Sequence, residues 1–445
     1  MVVFNMFIVM LSKILIVLLK FLGKKAGAFP GEIALRLNKN IRDYIKVDGK
    51  IIVITGTNCK TTTTNMIYEI LKDSGKKVIC NIAGNNIDSG ITTILLKECN
   101  LFGKINADYL VLETDEYWLP VVFSKPNLNI DTLIVLNFFR DQLDRAGEME
   151  CVISNLEQYI SKYFKGNIIL NSNDPNVVRL GLKVPEKRRF YYGIDKLKSS
   201  YKTSTDKMEG IICPFCDTLL KYDFYQYSHI GKFCCPTCDY GNLKNYLEIS
   251  KIKDDYFYIG KDRYKVSNTN LYHIYNLLAI IVLCDIYDYD KKKMKEIFKN
   301  YKSKNGRQQK FKINGKDCLL NLGKNPAGFN MLLKQVSNDK SKKELLILIN
   351  DMPSDGEDIS WIWDIDFSSI KLFDRIICGG TRAYDMAIVI KNNNYDINKI
   401  VVEKSIEKSL TKLFETNNKK YIISNYSPVT KTKDILEKME NGDKR

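Results

Sequence analysis

Histidine is almost absent from this chain of 445 residues, which has two, His229 and His273. No cysteine stands in a nucleophile-elbow context with either of them as partner, so a Cys–His nucleophilic centre is excluded from the chain itself. Cysteine is also sparse, twelve in all. That excludes a disulfide scaffold, and because four of the twelve form two C-x2-C pairs, a reducing compartment fits best. Internal repeats, low-complexity tracts and basic blocks interleaved with aromatics are all lacking. The net charge of +16 is therefore spread along the chain, and it argues against a nucleic-acid binder while leaving a phosphorylated substrate or an acidic membrane face open.

Long apolar runs are missing everywhere except at the start, MVVFNMFIVMLSKILIVLLKFL over residues 1–22. No small-residue cleavage site precedes Lys24 and Lys25, which excludes a signal peptide. Asn5, Ser12 and Lys13 interrupt a stretch barely long enough to span a bilayer. The expectation is a helix that lies on the membrane or packs on the body of the protein, within an apolar N-terminal helix and lead-in of residues 1–44.

From residue 51 short apolar runs alternate with amphipathic stretches. IIVIT (51–55), KVICN (77–81), YLVLE (109–113), TLIVLN (132–137) and NIILN (167–171) read as buried strands of a parallel α/β sheet. A Cys, Tyr and Gly-rich insert interrupts this rhythm at about 205–245. Helical periodicity returns at 271–286 and 290–301. A second α/β series then follows with strands ELLILIN (344–350), FDRIIC (373–378), KIVVE (399–403) and YIIS (421–424). The expected boundaries are 45–301 for the first α/β domain, which carries the insert, and 302–445 for the second.

ITGTNCKTTTT at 54–64 follows a strand and opens a helix, where backbone N–H groups cradle phosphate. Gly56, Thr57, Asn58, Lys60, Thr61 and Thr62 line this turn. Lys60 is placed to reach the β and γ phosphates of ATP, and the Thr61 hydroxyl to ligate Mg²⁺. The strict P-loop pattern is not met, because Ile54 and Cys59 occupy its two glycine places, and a plain N-capped helix is the alternative. Glu113 and Asp115 end the third strand in VLETDE, where a carboxylate beside the loop is positioned for Mg²⁺; a solvated turn acid is the alternative. CPFC at 213–216 and CPTC at 235–238, separated by 18 residues, 217–234, have zinc-knuckle spacing. Four thiolates close the coordination shell, so a zinc bound by Cys213, Cys216, Cys235 and Cys238 is structural rather than catalytic.

These motifs, with NFFRDQLDRAGE (137–148), LYHIYNLLA (271–279), GRQQ (306–309), LGKNPAGFN (322–330) and NDMPSDGEDISWIWD (350–364), resemble the Mur ligases. Within that superfamily they resemble the MurT branch, from about residue 30 onward. The resemblance implies a P-loop Mur ligase central domain with an inserted four-cysteine zinc ribbon, plus a C-terminal Rossmann-like α/β domain. It implies ATP-dependent amidation of the D-glutamate α-carboxylate in the peptidoglycan stem peptide of lipid II, giving D-isoglutamine through an acyl phosphate. Ammonia would come from a separate GatD-type glutaminase, and the site would be cytoplasmic, peripheral at the inner face of the membrane.

Residue by residue, Lys60 and Thr61 match the phosphate and Mg²⁺ positions and Glu113 the metal-binding acid. Asn86 matches a phosphate-side asparagine, Asn276 the adenine-contacting asparagine and Arg307 an arginine near the nucleotide. Asp355 matches an aspartate lent across the subunit interface to orient the glutaminase histidine, although in an Asp-Gly loop a turn role is the alternative. Gln142 and Leu156 stand where amino-acid-adding members have a metal-linked His and a carbamylated Lys. Cys59 stands where the family has Gly, and His273 replaces the first Asn of the HNxxN pattern. Other readings remain an amino-acid-adding Mur or folylpolyglutamate-type ligase, a degenerate nucleotide-binding protein at the membrane, and a nucleic-acid-binding ribbon protein.

Overall fold

The computed structural model describes all residues except 25, 83, 126, 141–148, 204–209, 242, 302–307, 338, 353–354 and 443–445. The chain forms two compact units. One contains residues 1–138, 149–204 and 208–301; the other contains residues 302–445 with the short segments 139–148 and 205–207.

The first unit is built on a parallel sheet of seven strands. In spatial order these are Leu247–Ile249, Arg189–Ile194, Asn167–Asn171, Thr132–Val135, Lys50–Thr55, Tyr109–Glu113 and Val78–Cys80. The strands are apolar without alternation because helices cover both faces; Ile51 through Thr55, for instance, are all buried. From Lys50–Thr55 the chain goes outward past one position to Val78–Cys80, returns to Tyr109–Glu113, and then continues on the other side with Thr132–Val135. The loop after Lys50–Thr55 thus sits at the switch point of the strand order, at the carboxyl ends, where open α/β sheets bind ligands.

All five strands expected in this region form. Two more join them, Arg189–Ile194 and Leu247–Ile249. The second of these comes directly after the cysteine-rich segment, which therefore leaves the sheet and returns to its edge. An antiparallel hairpin, Lys221–Tyr227 with Ile230–Cys234, carries the cysteine pairs at its open end. The helix Leu271–Ile286 is buried along almost its whole length and packs on the strands Arg189–Ile194 and Asn167–Asn171 and on the helix Lys60–Asp73.

The second unit has a six-stranded sheet in the order Gln309–Ile313, Lys316–Leu322, Lys419–Ser424, Lys343–Leu348, Arg375–Gly379 and Ile400–Glu403. The first pair is antiparallel and the rest are parallel. An apolar cluster covers each face, one centred on Phe329, Ile347 and Ile376 and the other on Leu346, Ile377 and Ile422.

Candidate active site

The strand Lys50–Thr55 runs into Gly56 and the chain turns through Cys59 into the helix Lys60–Asp73. Gly56 has φ +127°, and a Cβ there would lie 3.0 Å from both the backbone N and O of Asn137. Asn137 clamps the turn: its carbonyl accepts from Thr57 N (2.9 Å) and its Oδ1 accepts from Asn58 N (2.9 Å). Its Nδ2 donates to the Asn58 carbonyl at 3.3 Å. Cys59 takes φ +69° and ψ +7°, a left-handed conformation that costs an L residue about 1–2 kcal/mol. This is why glycine suits the position, and it is a consequence of the departure at Cys59 that spacing alone does not show.

Lys60 is buried, and its Nζ lies 3.1 and 3.2 Å from the two carboxylate oxygens of Glu116, which is buried too. Glu113 is 3 % exposed; its Oε1 accepts from Asn86 Nδ2 at 2.8 Å, while its Oε2 is buried without a hydrogen-bond partner. Asn81 fixes this acid through its backbone, with Oδ1 accepting from Glu113 N and Nδ2 donating to Glu113 O, both at 2.8 Å.

Across from Glu113 is Gly84, with φ +77°. A Cβ built there would lie 3.6 Å from Glu113 Oε2 and 3.7 Å from Thr61 Oγ1. The orphaned carboxylate oxygen and the threonine hydroxyl therefore converge on space that the missing side chain leaves open, and both are hard oxygen ligands of the kind Mg²⁺ takes. The negative charge of Glu113 is felt next door: burial first, then Glu113, pushes the Cys80 thiol well above its ordinary range.

Gly56, Thr57, Asn58, Lys60, Thr61, Thr62, Asn86 and Glu113 are thus brought to one end of the sheet. Asn276 is buried on the helix Leu271–Ile286 with its Nδ2 lacking a partner, and one turn earlier His273 Nε2 is equally buried and unpartnered. Burial lowers the His273 imidazole to about 4. Asp115, named with Glu113 as a strand-end acid, instead caps a turn by accepting from Tyr117 N at 3.1 Å. Leu156 is buried apolar surface on the helix Met149–Lys162. Gln142 and Arg307 lie outside the described residues. Glu116 and Asn137 were not singled out from sequence. The sequence signals Glu116 only by its place three residues beyond Glu113, and Asn137 only as the first residue of NFFRDQLDRAGE.

Asp355 belongs to the second unit and is 4 % exposed. Its Oδ1 accepts from Ser427 N at 2.6 Å and its Oδ2 from Met352 N at 3.3 Å. Both oxygens are engaged inside this chain, which ties the loop after the strand Lys343–Leu348 to the start of the helix Tyr426–Gly442.

The four cysteines converge. Sγ–Sγ separations are 3.6 Å for Cys213–Cys238, 3.4 Å for Cys216–Cys235 and 3.9 Å for Cys216–Cys238, and all four sulfurs lie within 4.8 Å of one another. Four sulfurs about 2.3 Å from a tetrahedral zinc would be roughly 3.8 Å apart, so the set fits the ion. Hydrogen bonding with Thr218, side chain first and then backbone, brings the Cys216 thiol down to about 6, whereas burial pushes the Cys213 thiol up, so a bound metal would itself draw the set into the thiolate form it needs. At the other end of the hairpin, Gly231 N donates to the Asn173 carbonyl at 2.9 Å and Asn173 Nδ2 returns to Gly231 O at 3.1 Å. His229 Nε2 lies 3.5 Å from Asp174 Oδ1, and Asp174 Oδ2 accepts from Phe138 N, next to the loop clamp Asn137.

The Mur ligase middle domain matches residues 54–227 and the MurT ligase C-terminal domain residues 322–429. The chain is 32 % identical over 427 residues to the lipid II isoglutaminyl synthase (glutamine-hydrolyzing) subunit MurT of Staphylococcus aureus, covering 94 % of this chain and 95 % of that one. The chain belongs to the MurT family. The Streptococcus pneumoniae member is 31 % identical over 426 residues, covering 93 % of this chain and 92 % of that protein.

Among solved structures, a pseudomurein peptide ligase type C from Methanothermus fervidus aligns with TM-score 0.69 at 21 % identity, covering 90 % of this chain and 80 % of that one. MurF from Acinetobacter baumannii aligns with TM-score 0.61 at 13 % identity, covering 92 % and 80 %. These likenesses establish a Mur ligase-like α/β fold.

Proposed function

We propose that the chain is the ATP-dependent ligase subunit of a glutamine-hydrolysing amidotransferase that converts the D-glutamate α-carboxylate of the lipid II stem peptide to D-isoglutamine. The observation that carries this reading is the convergence of Thr61 Oγ1 and the orphaned Glu113 Oε2 over Gly84, beside the helix N-terminus that Lys60 opens, in a chain that follows the MurT relatives along nearly its whole length.

The turn Gly56–Thr62 binds the triphosphate through backbone N–H groups, and Lys60 leaves Glu116 for the β and γ phosphates. Thr61 and Glu113 hold Mg²⁺, which neutralises charge on the transferring phosphoryl group when bound. Asn86 orients Glu113, Asn276 turns its buried amide to the adenine, and Arg307 is assigned to the nucleotide by its match to the family pattern. Cys213, Cys216, Cys235 and Cys238 hold a structural Zn²⁺ in a ribbon inserted into the ATP-binding domain of residues 45–301. Residues 302–445 form the C-terminal ligase domain.

The carboxylate oxygen attacks the γ phosphorus, ADP leaves, and ammonia then attacks the acyl carbon and expels phosphate, which carries the former carboxylate oxygen away. Electrostatic complementarity to the charge of the phosphoryl transfer step, rather than covalent chemistry, is what these residues supply. The sequence offers no cysteine in a nucleophile-elbow context with a suitable histidine partner, so we assign glutamine hydrolysis to a separate GatD-type subunit. Asp355 is assigned to the partner's histidine by its match to the family pattern alone, since both its oxygens are engaged within this chain. The site works in the cytoplasm, at the membrane face where a lipid-linked peptide is met.

Heavy-oxygen label in the substrate carboxylate tests the route: it appears in inorganic phosphate if the acyl phosphate forms. Label retained wholly in the peptide while amide accumulates contradicts it.

A further inference from the structure

The first helix, Val2–Phe21, has a mean hydropathy of 2.6, yet it is not simply inserted in the protein or detached from it. One face packs on the helices Phe29–Leu37 and Asp88–Glu98, and the residues buried there are Asn5, Ile8, Val9, Ser12 and Ile16. The interruptions of the apolar run therefore point inward. Asn5 Oδ1 accepts from Asn38 Nδ2 at 2.9 Å, the Ser12 hydroxyl donates to the Ile8 carbonyl at 2.8 Å, and Lys13 Nζ donates to the Lys97 carbonyl at 2.6 Å.

The opposite face is apolar and open to solvent. Phe7, Met10, Ile14, Val17 and Phe21 form a continuous stripe, each 44–89 % exposed, and Phe4 and Leu18 widen it. A helix with its polar groups turned to protein and its large hydrophobes turned out is matched to a lipid surface rather than to water.

We propose that Val2–Phe21 is a monotopic membrane anchor. It lies in the plane of the bilayer interface, with the stripe Phe7–Phe21 among the acyl chains and the body of the first unit above it. A span would require the helix to leave the helices Phe29–Leu37 and Asp88–Glu98 and carry Asn5 and Ser12 into hydrocarbon, where unsatisfied polar groups are costly. A second copy of this helix is disfavoured as occupant: the apolar face is broader than a two-residue heptad seam, and the helix has no acidic residue to pair with a lysine across such a seam. Its outward charges are positive, the exposed Lys20 with Lys24 just beyond, which suits a leaflet rich in anionic lipid. The anchor would hold a soluble-type fold at the surface where lipid-linked substrates reside, and it stands whether or not the amidation chemistry is correct.

The test uses the full chain, without substrate or partner, in flotation with vesicles of phosphatidylglycerol and phosphatidylcholine, against vesicles of phosphatidylcholine alone. The expected result is flotation with the mixed vesicles, at least tenfold weaker for the triple variant Phe7→Ser, Ile14→Ser, Phe21→Ser, and release of the wild-type chain by alkaline carbonate. Zinc content and melting temperature of the variant are to match the wild type, since all three side chains are exposed. Three results would overturn the proposal: no flotation of the wild-type chain; retention after carbonate, which marks a span; or a lipid-independent dimer, lost in the triple variant, in place of vesicle binding.

Discussion

Lys60 Nζ sits 3.1 Å from Glu116 Oε2, so the lysine proposed for the phosphates is held by a buried carboxylate in the nucleotide-free chain. Removing one partner of a buried pair leaves the other charge uncompensated, at about 3–5 kcal/mol. Glu116→Gln is therefore expected to lower the melting temperature of the nucleotide-free protein. Because the triphosphate takes over the lysine, the ATP-bound protein should lose less, and the rise in melting temperature on adding ATP should be larger than in the wild type. An equal drop in both states would mean that Glu116 stays on Lys60 throughout.

Gly84 leaves the space between Thr61 and Glu113 open. Gly84→Ala places a methyl 3.6 Å from Glu113 Oε2 at a φ of +77°, which adds strain of roughly 1–2 kcal/mol and crowds the ion. Mg²⁺-dependent ATP turnover should fall by at least tenfold, with zinc content unchanged. Wild-type turnover in this variant would remove the cation from that position.

Cys59 carries a left-handed backbone that glycine adopts freely. Cys59→Gly relieves about 1–2 kcal/mol of strain but gives back roughly 0.5–1 kcal/mol in unfolded-state entropy. Stability should change little, while ATP titration should show tighter binding because no Cβ faces the phosphates. Weaker binding would show that the thiol contributes contacts of its own.

His273 is held neutral by burial, with its imidazole lowered to about 4. Between that value and the ordinary value near 6.5, the unfolded chain binds the proton and the folded chain does not, so stability is full above the ordinary value and falls as pH drops through this window. The loss totals about 3 kcal/mol, from roughly 1.4 kcal/mol per pH unit. His273→Asn should flatten denaturation midpoints over that range; an unchanged slope would assign the acid sensitivity elsewhere.

The cysteine hairpin reaches the clamp of the nucleotide loop through Asn173 and Asp174, the latter accepting from Phe138 N beside Asn137. Stripping the zinc proposed for the four cysteines should thus weaken ATP binding by roughly tenfold, a usual size for coupling between two sites. Calorimetric titration of metal-stripped and restored protein checks it, and an unaltered ATP affinity would confine the metal to local folding.

Much of this was legible because it is local. Ile51–Thr55 is buried on both sides of the sheet and so reads as an unbroken run; the two C-x2-C pairs carry their ligand spacing on their face; Lys60 and Thr61 follow a strand after the short turn Gly56–Cys59. What stayed hidden depends on distant partners or on backbone angles. Glu116 gains its meaning from a lysine 56 positions away, and Asn137 from the loop it clamps 79 positions earlier. The strand Leu247–Ile249 is too short to signal by pattern, and its place at the sheet edge follows from pairing with Arg189–Ile194. The Asp-Gly loop allows a turn role for Asp355, and nothing in it signals that Ser427, 72 positions on, donates to the Asp355 carboxylate.

The central claim is tested most directly by co-expressing the chain with a GatD-type glutaminase and following lipid II stem peptide by mass spectrometry with ATP and glutamine. The account predicts the small mass decrease of a carboxyl becoming a carboxamide, at the D-glutamate α position, dependent on ATP and abolished by Glu113→Ala. An unchanged peptide mass while the complex binds ATP and hydrolyses glutamine would contradict it.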